Sequence, residues 1–576
     1  TLSNCGYRGI VVSTYLGIEL AAQRTRAWLF DDESGVYQLK AQVDQPDYGD
    51  KREMIHQVLR ELEKSSGQRL HTKHGKLFDI NKDKNSSGLK GVGISYSMGK
   101  PIRAAIIGVS EKFSLAPLRR LLQFFNVEIV LELDLQKEPN VSNQLETLIS
   151  TAYDLVVLAG GVDAGPEKAL RAVINNLRLV AQLRGKTNRP QIVYAGNKEL
   201  ADYAKLEIEI EDDLHLAGNI QPESGREDLS FAFNAVLKAI QRVRIKEFPE
   251  FEDFSGDPDI RFLPSEFGRG RIDHWLEQTQ INGKGLLHIH LEPDHGHILA
   301  VRDGLRMGLW QANDLDQIPI EALKSLINLP VSDFNLTSYI RNKQLHPGFV
   351  PVTIEDLNIE FALTSYRIRK LLEGLSGLYD QFLYSPEQGL VDNFEPIMLS
   401  GSSLTKFLPL RHSFMAALDQ ILPRGITTIV LDEFQLMGTL GILAEFDNML
   451  PTQLVDSDAF TSLATVINVV SPNAFRRIVL RVEVDEGDKG YRQHHQIHQS
   501  ELKRLETMNN HEIRVYLAPE RDTDVGMGMP GLGGWVNTTS SSLGIIIDAR
   551  GRPLRLPTDE KDRQELWHDW LWEMGV

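Results

Sequence analysis

Six side chains able to bind a metal fall within ten residues: His288, His290, Glu292, Asp294, His295 and His297. Imidazole and carboxylate donors suit zinc or a similar divalent ion. A spacing of two puts His288 and His290 on one strand face, and His295 and His297 on one face beyond the turn. Nothing in that spacing makes the two pairs converge, so the stretch reads as a polar hairpin and no metal is assigned. His494 and His498 would share a face on a helix. With no third ligand nearby, they read instead as a solvated loop entering a charged helix. The run Gly526-Met-Gly-Met-Pro-Gly-Leu-Gly-Gly534 lacks the Lys-Ser/Thr ending of a phosphate-cradling loop and reads as a flexible turn. The only cysteine, Cys5, sits too near the terminus to be assigned as a nucleophile. No Ser-His-Asp or Cys-His pattern stands out, so no residue is assigned a catalytic role.

Gly160, Gly161, Asp163 and Gly165 are better candidates for a ligand or partner site. A strand that ends in Gly-Gly, then a carboxylate, then a helix can offer backbone N–H groups to an anion or a partner. The same glycines equally permit a tight strand-to-helix turn, and no ligand class can be read from them. Near the end, Arg550, Arg552 and Arg555 would suit a phosphate or acidic partner, or pairing with local carboxylates. Trp567, Trp570 and Trp572 read as the packing face of a short helix, with an interface as the alternative.

The elements that must position these residues change character along the chain. The first hundred residues open with strand patterns at 17–22, 26–30 and 36–41, then a helix over 54–64 with Ile55, Val58, Leu59 and Leu62 on one face. The polar run 81–88 reads as a loop or linker. From residue 100 to 247, strands at 104–109, 127–133, 155–159 and 191–195 alternate with helical patterns, which predicts a mostly parallel α/β domain. Residues 248–284 read as a connection, 285–475 as a second mixed α/β region, and 476–576 as a β-rich domain closed by a helix over 562–572.

At 576 residues the chain is long enough for several cores. Its net charge of −17 disfavours nucleic acid and anionic membranes as partners. No apolar run is long enough to span a bilayer, and a single cysteine admits no internal disulfide, which fits a cytoplasmic setting. The first residue, Thr1, implies processing or truncation, so a removed signal peptide stays open.

One ending carries more information than these patterns. Leu543-Gly-Ile-Ile-Ile-Asp-Ala-Arg-Gly-Arg-Pro-Leu-Arg-Leu-Pro557 closely resembles the C-terminal signature of the MutL/GlmL family, encoded beside coenzyme-B12-dependent glutamate mutase. Other stretches follow in the family's order. They include Thr25-Arg-Ala-Trp-Leu-Phe-Asp31, Ser95-Tyr-Ser-Met-Gly-Lys-Pro-Ile-Arg103, Asp154-Leu-Val-Val-Leu-Ala-Gly-Gly-Val-Asp-Ala-Gly165, Tyr194-Ala-Gly-Asn197 and Asn342-Lys-Gln-Leu-His-Pro347. The resemblance implies a two-lobed actin-like (RNase H-like) ATPase core. Residues 1–99 would begin lobe I, 100–247 would be an inserted mostly parallel α/β domain, 285–475 lobe II, and 476–576 a C-terminal β-rich domain. It also implies an ancestral role as chaperone or reactivating partner of such a mutase.

In that superfamily two hairpins grip the phosphates, each with an Asp-x-Gly type turn; the Asp handles Mg²⁺ and the Gly admits phosphate to the backbone. Where the family pattern resembles Asp-Ile-Gly-Ser-Thr-x-Thr, this chain has Glu19-Leu-Ala-Ala-Gln-Arg-Thr25. At the second hairpin it has His290-Leu-Glu-Pro-Asp-His-Gly296, with Pro293 near the place of a flexible glycine. At the adenosine-side loop, Met398-Leu-Ser-Gly-Ser-Ser-Leu404 keeps one glycine. Glu19, Thr25, Glu292, Asp294, Gly401, Ser402 and Ser403 are therefore expected to line a vestigial nucleotide site, with ATP and Mg²⁺ doubted as cofactors. The expected function is a non-catalytic or weakly nucleotide-responsive scaffold or chaperone-like protein, its partner a mutase subunit or a second copy of itself. The alternatives are a self-assembling actin-like subunit, forming an oligomer or filament through Phe124-Phe125 or Trp567–Trp572, and an active ATP-dependent reactivating chaperone.

Overall fold

The computed structural model describes residues 13–575 apart from 33–34, 48, 72–77, 79, 81–87, 209–212, 280–282, 456, 473–476, 486–491, 508–511, 540 and 555–556. Cys5, most of the polar run at 81–88, and Arg555 lie outside the described residues. The chain divides into two units, Thr1–Arg269 with Gly438–Asn448, and Gly270–Met437 with Met449–Val576.

The first unit is built on strands β1 (Ser13–Leu20), β2 (Arg24–Asp31), β3 (Gln38–Pro46) and β4 (Gly88–Tyr96). After an insertion comes β10 (Ile260–Pro264). The sheet order is β10-β4-β1-β2-β3. The first three strands form an antiparallel meander, and β4 and β10 run parallel to β1. In order of entry this is 3-2-1-4-5. Helix Lys51–Ser66 covers one face, burying Met54, Ile55, Val58, Leu59 and Leu62, the stripe its spacing predicted. Asp50 caps its start through Arg52 N and Glu53 N, and Gly67 ends it at φ 70°. On the other face Gly17 and Gly93 leave room for Thr439 and Leu443. A Cβ on Gly17 would stand 2.5 Å from Thr439 Cγ2.

Between β4 and β10 lies the inserted domain, with strands β5 (Ile102–Gly108), β6 (Val127–Asp134), β7 (Leu155–Ala159), β8 (Gln191–Tyr194) and β9 (Leu214–Leu216). All are parallel, in the order β6-β5-β7-β8-β9. Apolar strands alternating with amphipathic helices produce this doubly wound arrangement because both sheet faces must be covered. Phe124 and Phe125, expected as a surface patch for assembly, are buried against Phe233. Their adjacency places them at a helix end packed inside the domain.

The second unit repeats the first topology. β11 (Gly285–Leu291), β12 (His295–Arg302) and β13 (Leu305–Ala312) form a meander. A two-residue pairing of β14 (Tyr384–Ser385) and β15 (Gly389–Leu390) precedes β16 (Phe394–Ser400) and β17 (Ile426–Leu431). These last two run parallel to β11. Taken as β11, β12, β13, β16 and β17, the order is again 3-2-1-4-5. A meander followed by two parallel strands, repeated in each unit around one inserted α/β domain, is the actin-like ATPase fold.

Two expectations need correction. Residues 248–284 are no bare connection: they supply β10 and helix Ser265–Thr279, whose buried positions the acidic, Pro- and Gly-rich composition masked. The C-terminal region is β-rich, as expected, but from residue 461 onward its strands are divided between two sheets. β18 (Thr461–Asn468), β21 (Leu502–Leu505) and β24 (Ile545–Asp548) extend the sheet of the second unit. β19 (Ile478–Asp485), β20 (Arg492–His498), β22 (Glu512–Pro519) and β23 (Gly534–Thr539) form a separate antiparallel sheet. His494 and His498 therefore stand on a strand, β20, and not in a loop entering a helix. Strand pairing with β19 overrode the weak local preference. No helix among the described residues is long and apolar enough to cross a membrane.

Candidate functional site

The first hairpin turn, Ala21-Ala22-Gln23, joins β1 to β2, and its register sets Glu19 opposite Arg26 and Leu20 opposite Thr25. Glu19 and Thr25 thus project to opposite faces of the hairpin. Arg26 Nη1 donates to Glu19 Oε2 at 2.5 Å, and the two side chains are only 2% and 4% exposed. Ser265 Oγ adds a long contact of 3.5 Å to Glu19 Oε1. On the other face Thr25 Oγ1 donates to Asp47 Oδ1 at 2.8 Å, and Lys51 Nζ binds both Asp47 and the carbonyl of Ala21. The carboxylate expected beside a metal ion is neutralised by a guanidinium of its own hairpin.

The second turn, Glu292-Pro293-Asp294, is closed by Glu292 N donating to His295 O at 2.9 Å. Arg367, from helix Ile354–Leu378, donates to the carbonyls of Glu292 and His295 and, at 3.2 Å, to Ser403 Oγ. Burial pushes Arg367 down to about 10, with Glu360, Asp294 and Glu292 pulling the other way. Glu292 Oε1 accepts from Ser402 N at 3.3 Å. Gly401, at φ 94°, lies so close to the hairpin that a Cβ would stand 2.2 Å from Leu291 O. Its glycine is demanded by this approach of two strand ends. Glu292, Gly401, Ser402 and Ser403 therefore do come together, and Arg367 is the residue that ties them. Asp294 instead contacts His295 Nδ1 at 3.1 Å.

The histidines of this hairpin serve a buried network. His288 Nδ1 meets Asp273 at 3.0 and 3.1 Å, and its Nε2 meets Ser400 Oγ at 2.7 Å. Ser400 Oγ also meets His290 Nδ1 at 2.8 Å. Asp273, His288 and Ser400 have the connectivity of a nucleophile–base–orienter chain. They are at most 1% exposed, so the serine faces no substrate and the chain is a structural polar core. Among the described residues no group of three or more His, Cys, Asp or Glu side chains is placed to hold a metal ion.

At the inserted domain, three donors of the Gly160–Gly165 turn are engaged within the chain. Asp163 N, Ala164 N and Gly165 N donate to Pro222 O, Glu199 Oε2 and Val162 O. The Asp163 carboxylate accepts from Lys198 N at 3.0 Å and Asn219 Nδ2 at 2.9 Å. A Cβ on Gly160, at φ 134°, would meet Val109 Cγ2 at 2.5 Å. Close packing accounts for the glycine there.

The C-terminal signature is an internal clamp. Arg550 grips Asp548 through Nε at 2.9 Å and Nη2 at 3.0 Å, and Asp419 through Nη1 at 2.8 Å. Arg552 binds the carbonyls of Leu422, Pro423 and Gln388, and Asn468 Oδ1 at 2.7 Å. Burial pushes Asp419 up to about 6 despite Arg550. Asp548, also buried, is held below its usual value by the same arginine. The sign follows from linkage: between the unfolded value of 3.8 and about 6, the folded chain holds the Asp419 proton more tightly. Stability is therefore lost as pH rises through that window. Asp419→Asn removes this component, so wild type is expected to lose roughly 1–2 kcal/mol relative to the variant between pH 5 and 7.5. Denaturant unfolding at both pH values tests this, and parallel pH dependence of the two proteins would contradict it.

With the geometry established, comparison with known proteins places the chain. The family model for MutL protein matches residues 15–256. Over that span the chain is similar to the MutL family. The matched stretch covers the first hairpin, the inserted domain and the Glu19–Arg26 pair. No curated protein sequence matches the chain. Solved structures similar to it include nucleotide-free acetone carboxylase, at 9% identity, TM-score 0.31, covering 84% of this chain and 81% of that one. Gluconate kinase from Lactobacillus acidophilus matches at 11% identity, TM-score 0.29, covering 78% and 90%. Plasmodium falciparum glycerol kinase with ADP matches at 10% identity, TM-score 0.31, covering 78% and 94%. The strand order already gives the fold, and these likenesses add nothing to it.

Sequence reasoning named Glu19 and Glu292 but missed Arg26, which neutralises Glu19, Arg367, which holds the Glu292 carbonyl, and Lys51, which holds the Ala21 carbonyl of the first turn. Arg26 was open to detection: a short turn between Glu19 and Arg26 puts them directly across the hairpin. Lys51 pairs with Asp47 at the local i,i+4 spacing, whereas Arg367, Asp273 and Ser400 meet their partners only through tertiary packing, and no local pattern marks them.

Proposed function

We propose that this MutL-family chain is a non-catalytic scaffold or chaperone-like partner protein whose ancestral phosphate loops are occupied by its own side chains. The observation that carries this is the buried Arg26–Glu19 ion pair, which sets a fixed guanidinium where Mg²⁺ or its waters would need the carboxylate. The residues present do not fit Mg-ATP. Ala21 replaces a glycine at the turn, Lys51 holds the Ala21 carbonyl, and Arg367 holds the second turn. A chain that cannot be switched by nucleotide acts by contact, and the partner class carried over from the MutL/GlmL resemblance is a subunit of a coenzyme-B12-dependent mutase. A cytoplasmic setting accompanies this reading.

Calorimetric titration with Mg-ATP and Mg-ADP tests the proposal directly. No saturating heat is expected up to millimolar nucleotide. Micromolar binding to wild type would overturn it and favour an ATP-driven chaperone.

A further inference from the structure

A second feature, independent of the phosphate loops, lies in the second unit. Its cavity of about 270 Å³ opens beside the C-terminal helix Glu560–Glu573. By volume it has room for roughly nine water molecules. Trp567, Trp570 and Phe361 supply an apolar wall; Phe361 packs on Trp567 with ring centroids 4.9 Å apart. Both indoles are at most 5% exposed. Asn328, Arg369 and Arg563 supply donors.

These donors are incompletely used. Asn328 is 8% exposed, and its buried Nδ2 has no hydrogen-bond partner. The buried Nε of Arg563 has none either. Arg369 gives its Nε to Gln420 Oε1 at 2.8 Å. A buried amide or guanidinium N–H left without an acceptor is costly, so such donors around a cavity mark a place for acceptor atoms. The charge has a definite sign. Asp419, the buried carboxylate of the lining, is already paired with Arg550, and Glu387 is exposed at the rim. The interior is thus lined by two cations and an amide donor beside aromatic rings set edge to face, with Trp567 and Trp570 at 76° to one another.

The place in the fold separates this cavity from the ancestral nucleotide position. Gly401 sits at the C-terminal end of β16. The following helix Leu410–Ile421 carries the chain back, so that Asp419 lies roughly 14 Å along it from Leu410. The signature arginines hold the wall together and leave the ligand to others. Arg550 fixes Asp419 and stacks on Trp570 at 4.6 Å, and Arg552 fixes Leu422. This arrangement gives the Arg-Gly-Arg-Pro ending a physical purpose: it builds a pocket.

We infer that this cavity binds a small aromatic carboxylate, its ring against Trp567 and Trp570 and its carboxylate on the donors of Asn328, Arg369 and Arg563. The aromatic wall selects the ring, by edge-to-face or offset contact, and the unpartnered donors select the anion.

The test uses the full chain and 2-naphthoate as the probe, with 2-naphthalenemethanol as its neutral counterpart, followed by calorimetry and tryptophan fluorescence. Saturable 2-naphthoate binding with tryptophan quenching is expected, about tenfold or more tighter than the alcohol. Arg563→Met and Asn328→Ala are each expected to weaken it about tenfold, which is about 1.4 kcal/mol. Circular dichroism and melting establish that each variant is folded, and either variant alone suffices if the other fails to fold. Absence of saturable binding at millimolar 2-naphthoate overturns the inference and leaves a water-filled cavity. Equal affinity for acid and alcohol, or unchanged affinity in both folded variants, overturns it as well.

Discussion

Arg26→Ala is expected to destabilise the first unit by roughly 3–5 kcal/mol, because it leaves Glu19 buried without its counter-charge. Glu19 is 3% exposed in the sheet and its other contact is a 3.5 Å approach from Ser265. Neither supplies the solvation that an ionised carboxylate loses on burial. The control is a double variant, Glu19→Gln with Arg26→Met, which removes both charges and keeps the volume. It is expected to recover most of the loss, because a buried ion pair is worth little more than well-packed neutral side chains. Denaturant unfolding of wild type, single variants and the double variant measures the coupling. If Arg26→Ala costs less than about 1 kcal/mol, the pair is a surface-like contact, and the argument that it displaces a metal fails with it.

The second large effect is steric. Gly268 lies in helix Ser265–Thr279 and meets Gly438 and Gly441 at backbone distance. A Cβ on Gly268 would stand 1.8 Å from Gly438 O, and one on Gly441 would stand 1.9 Å from Gly268 O. Both neighbours are backbone, so no side chain can rotate away. Gly268→Ala and Gly441→Ala are each expected to cost roughly 3 kcal/mol or more, at the upper end of overpacking, despite alanine's better helix propensity. Gly377, near the end of helix Ile354–Leu378, has nothing within 4 Å of a built Cβ. Gly377→Ala is expected to be neutral or to stabilise by up to about 1 kcal/mol. Thermal unfolding of the three variants separates the two causes. A mild effect at Gly268 would mean that the helices can slide apart cheaply.

Much of the architecture was legible because it depends on local periodicity. The helix over 51–66 announced itself through Ile55, Val58, Leu59 and Leu62. The inserted domain announced itself through short apolar runs alternating with longer amphipathic ones. What was misread shares one cause. β10 hides in an acidic, Pro- and Gly-rich stretch, and β20 hides in a run of polar residues. Each is a strand because a neighbouring strand pairs with it, β4 for the one and β19 for the other. Phe124 and Phe125 look like a sticky surface in sequence, yet Phe233, more than a hundred residues away, covers them.

The sequence by itself determined the α/β alternation of the inserted domain, the MutL resemblance of residues 15–256, and which residue types stand at Glu19-Leu-Ala21 and Glu292-Pro-Asp294. These are questions of residue type at one place, and type is what a sequence states. The tertiary structure alone decided how these residues are paired. Residue type cannot tell a free carboxylate from one neutralised by a guanidinium, nor a glycine kept for phosphate from one kept for Leu291 O. Arg367 reaches Glu292 across 75 positions, and Ser400 reaches His288 across 112. Desolvation and hydrogen-bond satisfaction depend on distances across the fold, and the chain writes those distances only when it is folded.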